Sequence, residues 1–217
     1  MTLVAHLYWS FRSPYSYLGT PHYQEITDKY DVDIKVKPVY PIAIRTPEFF
    51  TTINPQWIAY LMRDCKRVAD YRGMTFRWPS PDPVVMDIEK RIISDTQPYI
   101  FRLTRLGVEA AARGKGLAFL NEVSHMIFDG NTVNWHEGNH MTKAAARAGL
   151  DLADMEAAIE GNEQAYDDII ASNQAELDAS GHWGVPTLVF DGEPFFGQDR
   201  IDMAVWRMLQ NGLQKKG

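Results

Sequence analysis

The stretch "WSFRSPYSYLG", residues 9–19, decides how the rest of this chain is read. It joins a short apolar run to a helical pattern through Ser13-Pro14, a hydroxyl N-cap followed by proline at the first helical position. In front of it, "LVAHLYW" (3–9) is short, rich in β-branched and aromatic residues, and apolar on both faces, as a central strand of a covered sheet is. Behind it, Leu18, His22, Ile26 and Tyr30 recur at every fourth position and mark one face of a helix, which Pro21 is expected to kink. "VDIKVKPVY" (32–40) then alternates Val32, Ile34 and Val36 with Asp33, Lys35 and Lys37, a strand pattern. The opening unit is therefore βαβ. Its Ser-Pro-Tyr-Ser step stands where some folds place a Cys-Pro-X-Cys redox centre, so two hydroxyls occupy a turn suited to a reactive sulfur.

The far end of the chain answers this unit. "GVPTLVFDGEPFFG" (184–197) reads as two short strands around an Asp-Gly turn, and a last helix begins near Asp199 with Ile201, Val205, Met208 and Leu209 facing inward. Between the two ends the pattern is helical. Asn54-Pro55 caps a helix that stops at Gly73, the proline-rich "TFRWPSPDPVV" (75–85) follows, and further helices are expected at about 84–96, 98–113, 116–128, 136–148, 151–160 and 163–180. The fold class this gives is α/β: a βαβ…ββα sheet unit of residues 1–42 and 175–217, interrupted by an all-helical insertion, residues 43–174.

Composition narrows the functional classes. Of 217 residues, 45% are hydrophobic and 23% charged, and the net charge of -6 speaks against a nucleic-acid partner. No apolar run approaches the ~18 residues of a membrane helix. The N-terminus has no basic stretch and His6 interrupts its apolar run, so no secretory signal is expected. The single cysteine, Cys65, allows no intramolecular disulfide and suits a reducing compartment, giving a cytoplasmic expectation.

Chemistry concentrates at Ser13 and at Gly184-Val185-Pro186-Thr187. A side chain at a helix N-terminus after a strand faces converging N–H groups and the positive end of the macrodipole, an environment that stabilises a thiolate. A serine there is a poor nucleophile without a base, yet it can donate a hydrogen bond to another molecule's sulfur. Taken alone, it reads first as an N-cap and nothing more. Pro186 opens a strand facing that helix end, a place for a cis Val185-Pro186 bond, and the backbone of Val185 could then pair with an extended peptide.

"SPYSYLG", "GVPT" and the terminal "FFGQDRIDMAV" (195–205) resemble, in order and position, the thioredoxin-fold group of 2-hydroxychromene-2-carboxylate isomerase and kappa-class glutathione transferase, relatives of the DsbA-type disulfide oxidases. The resemblance implies a thioredoxin-like fold split by a helical insertion, a homodimer, and glutathione as cofactor. Ser13 would hold the glutathione sulfur as thiolate, Val185 beside Pro186 would pair with the cysteinyl backbone, and Gln198 and Asp199 would take the γ-glutamyl end. A small aromatic substrate would meet Arg12, Tyr15, Arg45, Asn54 and Trp57. Two positions depart from the group's pattern: Ser10 stands for an aspartate and Trp57 for a lysine, and Arg45, Arg63 or Asn54 are the candidates to replace that lysine. With no cysteine pair in the motif, thiol–disulfide exchange cannot close there. The reading implied is a glutathione-dependent isomerase acting by reversible thiolate addition; the alternatives are a kappa-like transferase and a non-catalytic thiol or peptide binder.

A competing motif, "HEGNH" (136–140), spells a zinc-peptidase pattern. The Asp-Gly-Asn turn upstream and the helix-weakening Gly138 and Asn139 argue against it, and no metal is expected. Cys65 falls on the apolar face of its helix and reads as a small buried hydrophobe. Arg63, Lys66, Arg67 and Arg72 read as a solvated basic face. Phe49, Phe50 and Trp78 fit an apolar substrate pocket and core or dimer packing equally well.

Overall fold

A computed structural model describes residues 2–87, 89–90 and 92–217. Strand β1 (Leu3–Trp9) is the centre of the sheet because it is apolar on both sides: Leu7 and Trp9 are fully buried and Tyr8 nearly so. Helix α1 (Pro14–Lys29) follows, started by the Ser13 cap and continuing through Pro21. Strand β2 (Val32–Pro38) returns parallel to β1, in register from Leu3 opposite Val32 to Trp9 opposite Pro38.

The 42–57 stretch folds into two one-turn helices not anticipated from the pattern, α2 (Ile42–Arg45) and α3 (Phe49–Thr52). Helix α4 (Pro55–Arg72) is capped by the Asn54 side chain on the Gln56 amide and ends at Gly73, whose φ of 66° is the left-handed turn that glycine makes without strain. The helix expected at about 84–96 is instead a minimal antiparallel pair, β3 (Met86–Asp87) and β4 (Ile92–Ile93); Ile88 and Arg91 lie outside the described residues. The reason is Gln97. Its amide takes the Val85 carbonyl at 2.8 Å and the Ser94 carbonyl at 2.8 Å, and accepts from the Val85 N–H at 2.9 Å, diverting backbone groups a helix would have used.

Helices α5 (Ile100–Ala112) and α6 (Gly116–Phe128) are where periodicity put them. Helix α7 (His140–Arg147) starts four residues later than expected, because 133–139 form turns with Asn134 and Gly138 at positive φ, anchored by buried Trp135, whose Nε1 donates to the Pro81 carbonyl at 2.8 Å. Helices α8 (Leu152–Ile159) and α9 (Glu163–Ala179) follow, and the expected domain division at 174/175 falls inside α9.

Strands β5 (Thr187–Phe190) and β6 (Glu193–Phe196) form the expected hairpin. β5 runs antiparallel to β1, giving the order β2-β1-β5-β6. Helix α10 (Ile201–Gln210) closes the chain. Its inner face is Ile201, Ala204 and Met208 with half-buried Val205; Leu209, expected inside, is 44% exposed. The result is the α/β sheet unit with helical material inserted between its two halves. The core joins both, since Phe11 from the β1–α1 turn meets Phe119 of α6 edge-on at 6.1 Å.

Candidate functional site

The turn after β1 explains how Ser13 is aimed. The Ser13 amide donates to the Ser10 carbonyl at 3.1 Å, and the Ser13 Oγ accepts from the Ser16 N–H at 3.2 Å, capping α1. The same Oγ donates to the Val185 carbonyl at 3.2 Å, so the helix N-terminus and the strand entrance meet through one hydroxyl. The Val185-Pro186 bond is cis. Of the two hydroxyls in the motif only Ser13 reaches open space. Ser16 is fully buried, and its Oγ has no hydrogen-bond partner among the described residues.

That space is a cleft of about 590 Å³ with two unlike walls. One wall is Ser13 with the 183–185 backbone and Phe196; the other is aromatic and aliphatic, from Phe49, Phe50, Trp57, Leu61, Trp78 and Met86. Phe49 organises the second wall, meeting Phe50 at 5.3 Å, Trp57 at 5.7 Å and Trp183 at 5.7 Å in steep or tilted ring contacts. Phe49, Phe50 and Trp78, left open between pocket and core by the sequence, all line the cleft.

Charge in the cleft is distributed unevenly. Arg12 lies beside Ser13, but both its forks are taken by Asp82, at 2.7 Å each, and it also covers the Phe50 ring at 5.4 Å. Its charge is thereby neutralised locally. Arg45 is different: it donates to the carbonyls of Tyr40 (2.6 Å) and Trp183 (3.0 Å), and no carboxylate among the described residues lies within ion-pairing distance. Burial lowers its pKa below the ordinary arginine value, which still leaves it a cation at neutral pH. Tyr15 points its hydroxyl at Asp64 (2.7 Å); burial first, and this contact second, raise its pKa, so it stays a neutral phenol.

The structure thus brings Arg12, Ser13, Tyr15, Arg45, Trp57 and Val185 to one cleft. Three other positions are elsewhere. Asn54 caps α4, exposed to solvent. Gln198 and Asp199 do not open the last helix, which starts at Ile201; they occupy the turn before it and are not among the cleft-lining residues. Gln198 is buried against α1 at Gly19, its carbonyl held by Arg72 at 2.9 Å, while exposed Asp199 pairs with Arg200 at 2.7 Å. Pro186 connects the two regions, its carbonyl accepting from the Gly197 N–H at 2.8 Å. Arg72 also binds the Leu18 carbonyl, so it is a tether between α4, α1 and the 197–200 turn and not part of a solvated face. Arg63 remains exposed and bonds back to the Ala59 carbonyl on its own helix.

The roles of four residues were not legible from the sequence. Asp82 could have been suspected from Asp-Pro, since its side chain makes the local turn by accepting from the Val84 N–H at 2.9 Å; nothing local points to Arg12 seventy positions away. Arg72 gives no local sign of its distant carbonyls. His182 and Thr187 shape the 182–187 loop: the Gly184 N–H donates to His182 Nδ1 at 2.8 Å, and the Thr187 hydroxyl donates to the Gly184 carbonyl at 2.7 Å. The motif His-X-Gly ahead of Val-Pro-Thr is the signal that was available.

The HEGNH segment does not form a shared helix face, because His136 lies in a turn and His140 is the first residue of α7. Among the described residues no group of three or more His, Cys, Asp or Glu could hold a metal ion. Cys65 is fully buried and its thiol is pushed up to about 12 by that burial, which keeps it protonated and inert.

With this geometry in hand, the comparisons with known proteins are decisive for the family. The DSBA-like thioredoxin domain matches residues 5–208. The chain belongs to the DSBA-like thioredoxin family. Among solved structures, 2-hydroxychromene-2-carboxylate isomerase superposes with a TM-score of 0.70 at 17% identity, covering 96% of this chain and 95% of that one. The cytosolic disulfide reductase DsbM from Pseudomonas aeruginosa superposes with a TM-score of 0.60 at 17% identity, over 97% and 100% of the two chains. The same reductase solved with GSH gives 0.57 at 16% identity, over 96% and 100%. At these identities the likeness is one of fold. No curated protein matches the chain in sequence. Among the described residues no helix is long and apolar enough to cross a membrane.

Proposed function

We propose that this DSBA-like chain is a glutathione-dependent cis–trans isomerase of the 2-hydroxychromene-2-carboxylate isomerase type, working as a homodimer in the cytoplasm on an aromatic or enone-like acid. The observation that carries this reading is the Ser13 Oγ, a helix-capping hydroxyl at the turn after β1, open to the cleft and 3.2 Å from the Val185 carbonyl. The residues fit the tripeptide: a hydroxyl donor at a helix N-terminus for the sulfur and the Val185 backbone beside it, while Arg45, with no carboxylate partner among the described residues, is left for the substrate.

Glutathione, when bound, supplies a thiolate that adds to a carbonyl-activated double bond and departs after rotation about the resulting single bond. The chain's share is positional and electrostatic. The Ser13 proton turns from the Val185 carbonyl toward the sulfur, and the α1 N-terminus favours the negative charge placed there. The aromatic wall excludes water and holds a planar substrate over the sulfur. Arg45 faces the acid group. Thiol–disulfide exchange does not fit, because the chain's one cysteine is buried on α4.

Calorimetry with glutathione, followed by product analysis, tests the reading. Binding, with unchanged glutathione and a rearranged substrate, is expected. A stable thioether would instead make the chain a transferase, and no binding at millimolar glutathione would remove both enzymatic readings.

A further inference from the structure

Three consecutive peptide groups form the wall of the cleft on the Ser13 side, and each is pinned by a side chain. The 183–184 peptide is held at both ends: Arg45 Nη2 donates to the Trp183 carbonyl at 3.0 Å, and His182 Nδ1 accepts from the Gly184 N–H at 2.8 Å. The 184–185 peptide is held by Thr187, whose hydroxyl donates to the Gly184 carbonyl at 2.7 Å. The 185–186 peptide is held by Ser13. His182 is itself fixed, its ring stacked on Phe196 with centroids 4.0 Å apart and planes 19° apart. Gly184 has to be glycine for this packing, since a Cβ there would lie 2.5 Å from Phe196 and 2.9 Å from His182.

Of these four pins only one changes its hydrogen-bonding character near neutral pH. Arginine stays charged and hydroxyls do not titrate there. Accepting the Gly184 N–H requires a bare Nδ1, and hence the tautomer with its proton on Nε2. A proton on Nδ1 would face the amide proton and abolish the contact. Resting on the glutathione reading, we propose that His182 is a positioning residue for the Val185 edge: as a neutral imidazole it locks the 183–184 peptide for ligand binding, and on protonation it releases that peptide and weakens the site.

Burial moves the imidazole below its ordinary value of about 6.5. The sign follows. The lock is in place above that value and is lost as pH falls through the lower folded-state one. The charged groups around the loop are Arg45, on the Trp183 carbonyl, and Asp178 of α9, which acts on Arg45. On the imidazole itself, the contacts from β6 and from its own loop are Phe196, Trp183 and the Gly184 amide, with no ion pair among the described residues.

The test uses the whole chain and S-methylglutathione, which has no thiol to titrate. Nitrogen-15 NMR of the free protein follows the His182 ring nitrogens and the Gly184 amide between about pH 5 and 8. The expected result is one shared titration, with S-methylglutathione affinity falling about five- to tenfold from pH 7.5 to 5, the scale of one hydrogen bond. His182→Asn keeps an acceptor for the amide two residues on, as in an Asx-turn, so its affinity exceeds that of His182→Ala and its profile is flat. A Gly184 amide that ignores the His182 titration, or a His182→Asn profile as steep as the wild type, overturns the proposal. Shared titration with no ligand binding at any pH supports the switch in the loop and overturns glutathione as its ligand.

Discussion

The two walls of the cleft are built by different physics. On the Ser13 side, residues 183–185 line the cleft and side chains fix their backbone: Arg45, His182, Thr187 and Ser13 hold peptides 183–186 in sequence. Among the described residues the other wall shows no such run of pinned peptides; it consists largely of rings in edge contact around Phe49, with the bidentate Arg12–Asp82 pair beside them. Hydrogen bonds are more sharply directional than ring contacts, so on the proposed function the first wall would recognise one backbone shape and the second would tolerate a class of planar molecules. On the proposed reading the rigid wall would serve the fixed cofactor and the adaptable one the substrate.

Perturbing the rigid wall should cost most. Ser13→Ala removes the donor facing the sulfur, and turnover should fall by about a hundredfold or more, as when an oxyanion donor is deleted. The lost cap should destabilise the fold by only ~1 kcal/mol, read as a drop of a few degrees in Tm. Gly184→Ala pushes a methyl into Phe196 and the His182 ring; we expect about 1–3 kcal/mol of destabilisation in denaturant melts and a parallel loss of glutathione affinity. The adaptable wall should respond differently. Phe49→Ala removes the ring that Phe50, Trp57 and Trp183 share, so substrate KM should rise about three- to tenfold while calorimetric glutathione affinity changes little. Equal losses in both quantities would erase the distinction between the walls. The smallest effect belongs to Cys65→Ala: turnover should stay within about twofold of wild type, and native Cys65 should resist a disulfide reagent, because its thiol is buried and pushed up to about 12.

The sequence was most legible where local rules act alone. The Ser13-Pro14 cap, the alternation of 32–36, the Asp191-Gly192 turn and the Asn54 and Gly73 helix ends each need only a few neighbouring residues, and each stands as read. It misled where a distant or side-chain group takes over the backbone. Val84 to Ile93 has helical spacing, yet Gln97 claims the Val85 N–H and carbonyl; the HEGNH stretch has a helical look, yet Trp135 anchors it as a turn on Pro81. The site divides the same way. Ser13 and Val185 were visible through their motifs, and the cleft contains both. The neutralisation of Arg12 by Asp82 and the tether from Arg72 to Gln198 depend on pairs about 70 and 126 positions apart, and no local pattern announces such pairs. Arg45 was one candidate among several cations; its two carbonyl partners and its place in the cleft distinguish it from exposed Arg63.

The most direct measurement is the crystal structure of the chain soaked with glutathione. The account requires the sulfur within hydrogen-bonding reach of the Ser13 Oγ, with the cysteinyl backbone alongside Val185. A tripeptide bound with its sulfur turned away from Ser13, or seated outside the cleft, would contradict it.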